Sequence, residues 1–221
     1  MKTRILSLMF LLSGKFLGHS QGFINLDFES ANLAAIPAGQ GGGFVSATNA
    51  IPGWTAFIGA NQTTQILQNN ATTGLPSISI FGPDSLATGI IQGNYSVILT
   101  AGIVDGSVSI SQTGLVPVSA DTLLFEAAPN YAGAGQLSVL MNGQNVPYFA
   151  LGTGPNYTVY GGDISAFSGL QETLKFSDSQ IGSNFSYVEL DNIQFSSLPV
   201  PEPGALTALG GLLLACRRRK K

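Results

Sequence analysis

The sequence predicts an all-β chain: a single antiparallel β-sandwich flanked by an N-terminal signal peptide and a C-terminal hydrophobic helix. Three observations predict it. Short apolar or alternating runs recur between turn signals over residues 21–197, with no amphipathic helical repeat among them. Charged residues make up only 10% of the 221, against roughly a quarter in an ordinary soluble domain. Glycine reaches 28 residues beside frequent Ser, Thr and Asn, a mix that favours strands and turns over helices.

Residues 1–20 read as a secretory signal peptide. Lys2 and Arg4 form the charged start, Ile5 to Leu12 supply the apolar stretch, and Gly18-His19-Ser20 is a small-x-small cleavage site before Gln21. Lys15 interrupts the apolar segment. Export through the Sec machinery follows.

The first strand is expected at Ile24, Leu26 and Phe28, which alternate with Asn25, Asp27 and Glu29. Residues 39–43 read as a flexible glycine-rich loop, and Asn61 to Gly74, rich in Thr, Gln and Asn, as a long surface loop. Further strands are expected at Trp54–Ile58, Ile78–Phe81, Tyr95–Thr100, Val108–Gln112 and Leu123–Ala127. Then follow Leu137–Met141, Val146–Ala150, Tyr157–Tyr160, Thr173–Phe176 and Tyr187–Phe195. Met141-Asn142-Gly143-Gln144 carries Asn-Gly, the strongest short hairpin signal. In the last strand Val188 and Leu190 share one face while Ile193 and Phe195 fall on the other parity. A β-bulge near Asp191-Asn192 is therefore expected.

Charge placement excludes whole classes of function. Lys175 is the single basic residue between Gln21 and Val200, facing eleven carboxylates from Asp27 to Asp191. Such a body repels nucleic acid and anionic lipid. Cys216 and His19 are the only Cys and His, and both lie in the terminal segments. The body thus holds no disulfide, no Ser–His–Asp triad, no Cys–His pair and no His-ligated zinc.

The C-terminus has three parts. Val200-Pro201-Glu202-Pro203 keeps the chain extended, Gly204 to Cys216 is uncharged and mostly apolar, and Arg217, Arg218, Arg219, Lys220 and Lys221 close it. The apolar run is shorter than the roughly 20 residues of a comfortable spanning helix. The terminal cations are expected to stay cytoplasmic as a membrane stop, leaving the body outside. This order resembles the PEP-CTERM sorting signal of Gram-negative bacteria. The resemblance covers residues 199–221 and implies processing by an exosortase, transit through the inner membrane, and a place at the cell surface or in an exopolysaccharide or biofilm matrix.

INLDFES, IPGW, GNYSVILTAG, DISAFSG and VELDNIQF together resemble galactose-binding-like jelly rolls, a superfamily that includes carbohydrate-binding modules. The likeness spans most of residues 22–196. It implies a structural Ca²⁺ held by Glu29 and Asp191, with Asn25 and Asp27 on the strand face of Glu29. It also implies a sugar site, for which Trp54, Tyr131, Tyr148, Tyr157 and Tyr160 are the stacking candidates, with Asn130 and Asn156 nearby in sequence. No pair among the eleven carboxylates is singled out for glycoside hydrolysis, and the chain is expected not to be an enzyme. Five N-x-S/T triplets occur, at Asn61, Asn70, Asn94, Asn156 and Asn184.

Overall fold

The computed structural model describes residues 21–37, 40–72, 74–83, 90–102, 106–130, 136–180 and 186–200. Residues 1–20, Pro201-Glu202-Pro203 and everything after them lie outside the described residues, as do Tyr131 and Asn184. Among the described residues no helix is long and apolar enough to cross a membrane.

The described chain builds two facing sheets. Its strands are β1 (Phe44–Ser46), β2 (Thr55–Ile58), β3 (Asn61–Thr63), β4 (Gln65–Gln68), β5 (Ser77–Phe81), β6 (Ser96–Ala101) and β7 (Ser107–Leu115). They continue as β8 (Thr122–Asn130), β9 (Gln136–Met141), β10 (Gln144–Asn145), β11 (Tyr148–Thr153), β12 (Thr158–Asp163), β13 (Gln171–Ser179) and β14 (Ser186–Ser196). A one-turn helix, α1 (Ala47–Ala50), follows β1. The larger sheet runs β1-β4-β5-β6-β14-β8-β12-β11 and the smaller β10-β9-β13-β7-β2-β3. Pairing is antiparallel except between β4 and β5. An all-β sandwich is what the alternation predicted.

Side-chain alternation sets the interior. In β13, Glu172, Leu174, Phe176 and Asp178 are buried while the residues between them are not. Leu174 and Phe176 face Ile78, Ile80, Val97, Leu99, Val188 and Leu190 of the other sheet within one core. A run of aromatic rings crosses that core. Phe28 meets Trp54 at 5.8 Å between centroids, Trp54 meets Phe176 at 6.3 Å, and Phe176 meets Phe125 at 5.3 Å edge to face. Phe125 then stacks on Tyr160 at 5.4 Å and meets Tyr148 edge-on at 5.2 Å.

Two expectations from turn chemistry hold. Asn142 and Gly143 have φ of 51° and 78°, the left-handed pair a tight hairpin needs, and they join β9 to β10. In β14 the register shifts between Asp191 and Gln194, with Asn192 at φ 46°, so that Leu190 and Ile193 both enter the core.

Three expectations fail. Residues 24–29 form a turn, not a strand: Asn25 and Phe28 have φ of 50° and 57°, Phe28 is buried and Ile24 is exposed. Side-chain hydrogen bonds drive this. Asn25 accepts from Ser30 N–H at 2.9 Å and donates to Pro52 O at 3.1 Å, and these bonds, one local and one tertiary, outcompete the ladder. The polar stretch 61–74 is no long loop, because tertiary pairing makes strands β3 and β4 of it and buries Ile66 and Leu67. Strand β11 begins at Tyr148 because the chain leaves β10 for the other sheet, with Val146 buried at the crossing.

Trp54 belongs to the interior at 4% exposure, its indole N–H donating to Asn25 O at 2.9 Å. Trp54→Ala is expected to destabilise the domain by about 3–5 kcal/mol in denaturant unfolding, as large aromatic deletions in cores do. A loss under about 1 kcal/mol would mean that the ring is peripheral.

Candidate functional site

A cleft of about 240 Å³ opens where three segments meet at one end of the larger sheet. Asp27 and Glu29 come from the N-terminal turn, Gln92 and Gly93 from the segment leading into β6, and Asp191 and Asn192 from the bulge in β14. The bulge creates this corner. It turns Asn192 into the left-handed region, where its N–H meets Asp191 Oδ1 at 2.7 Å.

Glu29 fastens the segment before β6. Its Oε1 accepts the backbone N–H of Asn94 at 2.7 Å and of Tyr95 at 2.9 Å, and its Oε2 accepts Asn94 Nδ2 at 2.8 Å. Gly93 permits this approach: its φ is 59°, and a Cβ there would collide with Glu29 Oε1. The same contact occupies the amide nitrogen of Asn94, one of the five triplet asparagines.

Behind this lies a layer of buried carboxylates. Asp191 Oδ2 accepts Gln92 N–H at 3.1 Å and the Ser96 hydroxyl at 2.9 Å. Glu126, paired with Asp191 across β8 and β14, accepts Gln92 Nε2 at 2.9 Å and Asn192 Nδ2 at 3.0 Å on Oε1. Burial lifts Glu189 to about 7, the Asp191 charge adding to the rise and the Ser96 hydroxyl opposing it. Burial also lifts Asp191 to about 7, against hydrogen bonds from Ser96, Asn192 and Gln92, with the Glu126 charge adding to the rise.

The sequence-predicted sugar residues scatter. Trp54 is in the core, and so fails as a stacking platform. Tyr148 is half-buried, its hydroxyl donating to Leu137 O at 2.6 Å and its own ionisation raised first by burial and then by Tyr160. Tyr160 packs edge-on to Tyr148 at 5.2 Å. Both rings serve packing. Tyr157 is not among the residues lining the cleft, but its Oη lies 3.5 Å from Nε2 of Gln92, which is. Its ring lies flat on the backbone of Gly154, where a Cβ would collide with it. Nearby, Asn156 Nδ2 points at Ile90 O from 3.5 Å.

The calcium set is only partly assembled. Asp27, Glu29 and Asp191 share the cleft, but Asn25 is engaged with Pro52 and Ser30. Glu29 and Asp191 already hold amide and hydroxyl donors that an ion would have to displace. Among the described residues no three Asp, Glu, His or Cys side chains are gathered as a metal would require. The residues as placed do not fit a calcium cage. The first segment and last strand are joined by a backbone bond, Ile193 N–H to Leu26 O at 2.9 Å.

Sequence reasoning missed Gln92, Gly93, Asn192, Glu126 and Glu189. Asn192 was within reach, since the parity break already located the bulge. Gln92 and Gly93 sit in an unpatterned segment and are recruited only by tertiary contact.

No protein-family model matches the chain, and no curated protein matches it in sequence. Solved structures similar to it include TmCBM61 in complex with β-1,4-galactotriose, at 11% identity and a TM-score of 0.44 over 80% of this chain and 99% of that one. Another is the K2 cleaved adhesin domain of Lys-gingipain, at 14% identity and a TM-score of 0.45 over 77% and 95%. A third is the family 11 carbohydrate-binding module of Clostridium thermocellum with a mixed-linked tetrasaccharide, at 11% identity and a TM-score of 0.35 over 76% and 100%.

Two outcomes are expected. Because Glu189 and Asp191 are held at about 7 in the fold, above ordinary carboxylates, their protonated forms favour folding. That stability is fully present below about pH 4 and is lost as pH rises through 7. In buffer free of metal ions the thermal midpoint should fall from pH 5 to 8, and Glu189→Gln should flatten the fall; a wild-type midpoint that climbs over this range contradicts the charge assignment. Chelator should leave the midpoint unmoved. A calcium-induced rise abolished by Glu29→Gln would overturn the misfit just described.

Proposed function

We propose that this chain is an exported, non-catalytic envelope or matrix protein whose sandwich binds a glycan at the cleft beside Tyr157. The observation that carries the reading is the 3.5 Å contact of Tyr157 Oη, its ring seated on Gly154, with Nε2 of Gln92 in a cleft that Asp27 and Asn192 also line. A sugar offers an apolar C–H face to an aromatic plane and hydroxyls to amides and carboxylates. The cleft's 240 Å³ is below the roughly 300–1,000 Å³ of pockets for drug-sized ligands, which suits one terminal sugar unit better than a long chain.

Export and sorting rest on the two ends of the sequence. A cleavable leader, the Val200-Pro201-Glu202-Pro203 motif, an apolar run and five terminal cations support delivery through the inner membrane by an exosortase to an exopolysaccharide-rich surface. The non-catalytic part is supported by the engagement of Glu29 and Asp191 with protein donors, which a reacting substrate would have to displace.

Affinity electrophoresis of the protein against a panel of polysaccharides tests the binding. Retardation by at least one glycan is expected, weakened about tenfold by Tyr157→Ala, the factor that 1.4 kcal/mol represents, and unchanged by Trp54→Phe. Retardation by none, or release of reducing sugar, would sink the reading. For sorting, deletion of residues 201–221 should release the exported protein from the envelope, and unaltered retention contradicts the role given to the tail.

A further inference from the structure

Every charged side chain lining the cleft is a carboxylate. Asp27, Glu29 and Asp191 line it together with Gln92, Gly93 and Asn192. The one cation among the described residues is Lys175 of β13, in the other sheet, with its Nζ 5.9 Å from the Phe57 ring centre. No basic side chain of the described chain balances the cleft.

Two more carboxyl groups stand behind it. Glu126 is the cross-strand partner of Asp191, and Glu189 lies two residues before Asp191 on the same face of β14. Both are buried, and each has an oxygen that no donor meets, Glu126 Oε2 and Glu189 Oε1. Glu126 Oε1 holds Gln92 Nε2 at 2.9 Å and Asn192 Nδ2 at 3.0 Å, so its carboxyl lies against two residues of the cleft wall. Buried carboxylates short of donors are costly, and a positive charge in the cleft lowers that cost for the whole group.

The arrangement suits a cation larger than a bare ion. Among the described residues no three acidic, His or Cys side chains gather as a metal requires. Glu29 commits both oxygens to Asn94 and Tyr95, and Asp191 commits both to Gln92, Ser96 and Asn192. Asp27 differs. It is exposed, and among the described residues its carboxylate is met only by the Glu29 N–H, at 3.3 Å on Oδ1. An ammonium needs no cage: its three N–H donors can take Asp27 Oδ2 directly while the other carboxylates act on its charge through space.

We infer that the glycan bound here carries a free amino group, an amino sugar in its ammonium form, and that Asp27 receives it. This rests on the glycan reading of the cleft. The same charges disfavour uronic acids and sulfated sugars, whose anions would meet carboxylates and no cation. A neutral sugar keeps only the amides of Gln92 and Asn192. Asp191 supplies a signature of the event, because burial holds its carboxyl up at about 7 and an ammonium beside it favours the ionised form.

Titration calorimetry of the full-length protein at pH 6 tests this with four probes. Three are the β-1,4-linked trisaccharides of glucosamine, N-acetylglucosamine and glucose; the fourth is spermidine, a trivalent amine without a sugar ring. The glucosamine trisaccharide should bind about tenfold more tightly than any other probe. Asp27→Asn, which keeps an oxygen for the Glu29 N–H, should erase that margin. Asp163→Asn should not, since Asp163 pairs with Thr122, four residues along β8 from Glu126. In the wild-type protein the glucosamine trisaccharide should also move the Asp191 ¹³C carboxyl resonance toward its ionised position. Equal affinity for the three trisaccharides, or a margin that survives Asp27→Asn, overturns the inference and leaves the glycan reading standing. Spermidine bound as tightly as the glucosamine trisaccharide overturns it as charge attraction alone. Binding of no trisaccharide overturns it too, and the polysaccharide panel then shows whether the glycan reading falls with it.

Discussion

A concentration of buried carboxyl groups, with no cation in reach among the described residues, governs this molecule. Glu126, Glu189 and Asp191 sit together on β8 and β14 at 6% exposure or less, while Lys175 is on the opposite sheet. Such groups must be met by donors, protons or ions. The surrounding architecture supplies donors: the Gln92 amides, the Ser96 hydroxyl and the Asn192 side chain all turn toward these carboxylates. The segment before β6 is thereby fixed, and with it the cleft. Glu29 repeats the device from the other side, gripping Asn94 and Tyr95. The site is thus a set of carboxylates clasped by amides, and its shape follows from where the carboxylates are.

The core makes this possible by being indifferent to it. Phe28, Trp54, Phe176 and Phe125 carry the packing on one side of the sheet. The other side of β5 and β6 is then free to carry Ser and Thr, which a strand with only one buried face would present to water. Without disulfides, that packing and the ladder hold the domain.

The fold was legible because period-two alternation and turn chemistry are local. Leu174 and Phe176, Val188 and Leu190, the Asn142-Gly143 hairpin and the bulge at Asn192 all carry their structure in neighbouring residues. Residues 24–29 misled for the same reason: an alternating pattern was overridden by the hydrogen bonds of Asn25, which depend on Pro52 and so on the tertiary fold. Strands β3 and β4 are made by their partners. At the site, Asp27, Glu29 and Asp191 were named from sequence and do meet. The donors that occupy them were invisible, because Gln92 and Ser96 lie about a hundred residues from Asp191 in the chain. In SISIF the serines alternate with isoleucine, but in SVILTA Ile98 shares the face of Ser96 and Thr100, so the character of the second face was not legible from alternation.

The most direct measurement follows the carboxyl carbons of Glu189 and Asp191 by ¹³C NMR as pH is raised. Burial without a counter-charge predicts midpoints near 7. Midpoints near 4, those of ordinary solvated carboxylates, would contradict it.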